Sequence, residues 1–144
     1  MSEVHTCIAS ANGARPWSND SIDSVSEQLG KLWGVLSALQ AQFSREVPES
    51  DRCEWVWMST LLAEVRTRLQ DIDTQCDEGP TEVNQAIHHA RALAELVFSS
   101  ELAGGDGEHQ HLGDDLLDWL IWELRDRVQA AKDAVDASAP TARH

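Results

Sequence analysis

The chain has 144 residues, 42% hydrophobic and 25% charged, which suits one globular domain and excludes a disordered polar segment. Its 25 acidic residues against 11 basic leave a net charge of −14. Phosphate contacts need clustered Lys and Arg, so direct binding to nucleic acid or an anionic membrane is not expected. With no Tyr and only two Phe, and little strict alternation, strands are not expected either.

Residues 1–19 read as a loose N-terminal arm, broken by Pro16 and anchored by Trp17. The first helix is predicted from about Ser21 to Phe43. Asn19, Asp20 and Ser21 are candidate N-caps, and Ser24 with Glu27 forms a candidate capping box. Ile22, Val25, Leu29, Leu32, Leu36, Leu39 and Phe43 recur at steps of three and four, the seam of helices packed nearly parallel or antiparallel. Gly30 and Gly34 weaken the helix and would let a neighbour approach closely. After a connector marked by Pro48, a second helix is predicted over about 50–74. It carries Trp55, Met58, Leu62, Val65, Leu69, Ile72 and Cys76 in the same alternation, and the short connector favours an antiparallel hairpin.

Asp77-Glu78-Gly79-Pro80 is a turn. A third helix, about 81–98, presents an alanine-rich stripe of Val83, Ile87, Ala90, Ala94 and Val97. Residues 99–113 read as the longest internal loop, glycine-rich and mobile. The fourth helix, Asp114–Val135, is the one the chain is organised around. Leu116, Leu117, Trp119, Leu120, Ile121, Trp122 and Leu124 make its first half apolar on nearly every side, and such a helix needs cover from its own chain or another. Residues 138–144 read as a disordered tail. The fold expected for residues 20–137 is a single all-α domain, an antiparallel four-helix bundle or two packed helical hairpins. Residues 64–70 (EVRTRLQ) and 123–129 (ELRDRVQ) match in phase with their seams, as a duplicated hairpin or common helix composition would each produce.

No catalytic or cofactor motif is present: there is no GxSxG, P-loop, dinucleotide fingerprint or HExxH. Cys7, Cys53 and Cys76 lack CxxC spacing, and Cys53 and Cys76 fall on or beside the second seam, where cysteine serves as a small hydrophobe. The N-terminus lacks a basic start and an apolar core, and no apolar run approaches the ~20 residues of a membrane span. A reduced cytoplasmic setting is expected. His109 and His111 with Asp115 are the best metal-ligand candidates, though a glycine-rich loop holds ligands poorly, so no metal or cofactor is expected.

Six tryptophans in this chain carry more information. The fourth helix keeps a seam at Leu124, Val128, Ala131 and Val135, from whose centre Trp119 projects about 160–200° away and Trp122 about 140°. Either the arm and Trp17 wrap them, or they face a partner or second copy. Acid clusters beside them: Glu101, Asp106, Glu108, Asp114, Asp115, Asp118, Glu123 and Asp126 stand against Arg125 alone. A second cluster, Asp71, Asp73, Asp77, Glu78 and Glu82, reads as lacking a basic neighbour.

The expected function is a non-enzymatic interaction module. It would present Trp119, Trp122, Asp106, Glu108, Asp114, Asp115 and Asp118 to a protein partner with a basic surface, alone or as a homodimer. The runner-up is a small inhibitor whose carboxylates imitate nucleic acid and block a basic groove. A metal-dependent activity at His109, His111 and Asp115 is third.

Overall fold

The computed structural model describes residues 17–104 and 109–138. Four α-helices form within them: α1 (Asn19–Ala41), α2 (Trp55–Gln75), α3 (Thr81–Gly104) and α4 (Asp114–Ala137). A 3-10 turn at Glu49–Asp51 interrupts the α1–α2 connector, and there is no strand among the described residues. The expectations for the segments before Trp17 and after Ser138, and for Asp106 and Glu108, lie outside the described residues.

Each helix packs on two neighbours, α1 on α2 and α4, α3 on α2 and α4, and the diagonal pairs do not meet. Neighbours run antiparallel. Ser26 at the start of α1 donates to Asp136 at the end of α4, and Gln28 donates to Gln75 at the end of α2. Arg91 of α3 reaches back to Asp73 of α2. The chain is therefore an all-α four-helix bundle.

Its core is the set of seam positions. Ile22 to Leu39, Met58 to Cys76, Val83 to Val97 and Leu117 to Val135 bury their three-and-four residues in one cluster. Trp55 and Phe43 are half-buried and pack against its edge. The closest pairing joins α1 to α4, the first and last helices, and the pairing of α1 with α2 is the thinnest. Gly30 faces α4, where an added Cβ would meet the Lys132 stem, whereas Gly34 has nothing within 4 Å and serves no close approach.

Local chemistry moves several boundaries. Ser18 caps α1, its hydroxyl accepting from the Ser21 N–H at 3.2 Å, so the helix starts two residues before the expected Ser21 and the Ser24–Glu27 box goes unused. The second helix begins at Trp55 rather than Ser50, because Pro48 and the 3-10 turn consume the first residues. Cys53 consequently lies exposed in the connector and not on the seam.

Candidate functional site

The α3–α4 junction positions the start of α4. Residues 99–104, expected in a loop, continue α3, because Glu101 falls in phase with the seam and has an internal use. It is 7% exposed, and its carboxylate accepts from the backbone N–H of His111 at 3.0 Å and of Leu112 at 2.7 Å. An acid read as part of a surface cluster is instead a clamp on the returning chain. The His111 ring lies across Gly104.

Asp114 is engaged as well. Its carboxylate accepts from Gln110 Nε2 at 2.7 Å and Arg52 Nη1 at 2.9 Å. These hydrogen bonds hold its carboxyl below the usual carboxylate range. Arg52 also donates to the Gln42 carbonyl at 2.9 Å and lies over the Phe43 ring, tying the α1–α2 connector to the first turn of α4. Asp114 is thus held by two neighbours in the chain while its side chain stays about half exposed, at 49%.

Of the other described residues of the expected site, the two tryptophans and Asp115 are exposed and Asp118 is half-buried. Trp119 is 56% exposed and Trp122 40%. Asp118 borders a groove of about 370 Å³ between α1 and α4, with Ser37, Gln40 and Arg125 on its walls. Trp17 does not wrap the tryptophans. Its Nε1 donates to Ser138 Oγ at 3.0 Å, and Ser138 stands 19 residues, about 28 Å of helix, beyond Trp119. The apolar first half of α4 therefore has one side in the core and the other uncovered by the described chain.

Along that uncovered side, acid and indole alternate at one-turn spacing. Asp115 precedes Trp119 by four residues and Glu123 follows it by four. Asp118 precedes Trp122 by four and Asp126 follows it by four. Residues four apart on a helix are surface neighbours. The one basic residue of this stretch, Arg125, turns towards α1 and places its guanidinium over the Trp33 ring, 5.4 Å from the centroid. The surface is therefore apolar and anionic at once.

The other candidates fare differently. His109, His111 and Asp115 are not gathered into a ligand set, and no group of three or more His, Cys, Asp or Glu that could hold a metal occurs among the described residues. The second acidic cluster does have basic neighbours, since Arg91 pairs with Asp73 at 2.8 Å and His88 stands 3.6 Å from it. No helix among the described residues is long and apolar enough to cross a membrane.

Trp57, which reads as flanking the second seam, and Leu61 are exposed on α2. Comparison with protein-family models, with curated proteins and with solved structures finds no match for this chain.

Proposed function

We propose that the outer face of α4 is a docking surface for a cationic amphipathic segment of a partner protein, most simply a Lys/Arg-bearing helix. The observation that carries this reading is Trp119, an indole more than half exposed with Asp115 and Glu123 one turn away on either side. An exposed Trp is a typical interface anchor. A Lys or Arg side chain laid on such a surface gains the indole face and a carboxylate together. An apolar stripe on the partner covers the rest of Trp119 and Trp122. The chain acts by occupying its partner, with no chemistry of its own.

Imitation of a nucleic-acid backbone is the second reading. It is less well supported, because Glu101 is buried on backbone donors, Asp114 is already paired with Arg52 and indoles interrupt the carboxylate row. The two readings separate in one titration of the protein with an amphipathic Lys/Leu helical peptide. Docking on the indoles predicts that Trp119→Ala weakens binding at least about 30-fold, the scale of a hot-spot residue. It also predicts that Asp115→Asn and Asp126→Asn reduce the salt dependence. Binding that ignores Trp119→Ala while collapsing with the acid substitutions would establish imitation instead.

A further inference from the structure

We propose that the partner helix docked on α4 lies in the outer groove between α4 and α1, with a Lys or Arg lowered onto Asp118 and its backbone drawn close over Gly34. This rests on the α4 reading above and fixes where along that surface the partner goes. Ser37, Gln40, Ala41 and Ser44 form the α1 wall of the groove, and Asp118 and Arg125 the α4 wall. The groove opens onto the outer face of α4, because Trp122 stands one turn after Asp118 on the same side and is 40% exposed. Across it Trp33, on α1, is 39% exposed.

Three features here have no use inside the chain. Ser37 Oγ is buried without a hydrogen-bond partner. Asp118 makes no hydrogen bond or ion pair among the described residues. Gly34, one turn before Ser37, is the third. A glycine inside a helix costs stability relative to Ala, yet a Cβ added at Gly34 would meet nothing within 4 Å. With Ala41 two turns on, it leaves α1 low at the lip of the groove, so a third helix can approach to the near end of the usual range, about 8 Å. Charge complementarity names the occupant. Arg125 is drawn over the Trp33 ring, and Asp118 lies seven residues earlier, about 10 Å along the helix, with Asp115 one turn before it. That end of the groove attracts a cation, and the donors of a Lys or Arg can reach both the Asp118 carboxylate and the Ser37 hydroxyl. The alternative course lies beyond Trp119, around α4 and away from the groove, where Leu116 is 49% exposed.

The test is a titration of the whole chain with the amphipathic Lys/Leu helical peptide, with thermal melts of each variant as the folding control. Gly34→Gln places a side chain in open space and removes a helix-weakening residue, so the melting temperature should hold or rise. Peptide binding should nevertheless weaken at least about tenfold, because the lip of the groove is raised against the docked helix. Asp118→Asn should weaken it at least about threefold at low salt, with the difference shrinking as salt is added. Leu116→Ala should leave it unchanged. If Trp119→Ala weakens binding while either Gly34→Gln or Asp118→Asn has no effect, the α4 reading stands and the groove is overturned. Weakening by Leu116→Ala overturns it as well, since the helix then lies on the other side of Trp119. A peptide that does not bind at all removes both readings together.

Discussion

Replacing Glu101 by Ala removes the acceptor of two backbone N–H groups at the entry to α4. Hydrogen bonds to a buried charged group are worth more than neutral ones, and the orphaned donors add a desolvation cost. Chemical denaturation should show a loss on the order of 2–3 kcal/mol; a loss below about 0.5 kcal/mol, the size of an ordinary surface change, would remove Glu101 from the role of clamp. Asp114 makes a prediction in pH. Its folded carboxyl titrates below the usual range because Gln110 and Arg52 donate to it. A group depressed in the folded state contributes stability that is present above its unfolded pKa, about 3.9, and lost as pH falls through the folded value. Asp114→Asn should therefore flatten the acid limb of the stability profile below about pH 4, and an unchanged limb contradicts the assignment. These roles were not legible in the sequence. Spacing puts Glu101 in phase with its seam and Asp115 off it, but an acid at a seam position reads as the end of burial unless donors reach it, as the His111 and Leu112 N–H groups do. The distinction depends on where a non-helical connector returns, and periodicity does not encode that.

At the scale of the elements, the seams were legible because burial on a helix repeats every three or four residues. The alternation identifies the same apolar positions that the bundle buries. Cys76 belongs to this set, and burial, with Asp73 and Asp77 nearby, pushes its thiol up to about 12. In a Cys7→Ser background, a thiol reagent should label exposed Cys53 in the native protein and reach Cys76 only after unfolding; native labelling of both would place the end of α2 outside the core. Helix ends were less legible. Ser18 was one residue outside the candidate caps, and α3 ran six residues past its expected end because Glu101 kept the seam in phase. The matching segments at 64–70 and 123–129 take parallel positions. Val65 and Leu69, like Leu124 and Val128, are buried. Arg66 stacks on Phe98 of α3 as Arg125 stacks on Trp33 of α1. Each arginine reaches the next helix around the bundle.

Over the whole molecule, the uncovered apolar groups are unevenly placed. The nine large hydrophobic side chains exposed among the described residues all lie in the half where α1 and α3 finish and α2 and α4 begin. The half sealed by Trp17, the α2–α3 turn and Ser138 has none among the described residues. Scattered exposed apolar side chains are ordinary, whereas Trp119 and Trp122 share one outward face of α4, the arrangement expected of an interaction surface. The most direct test follows the six indole N–H signals in a two-dimensional NMR spectrum while a cationic amphipathic helical peptide is added. Docking on α4 predicts that the signals of Trp119 and Trp122 move in a saturable way, while those of Trp17 and Trp55 stay fixed. Saturable binding that leaves Trp119 and Trp122 unmoved, or no binding of the peptide at all, would contradict it.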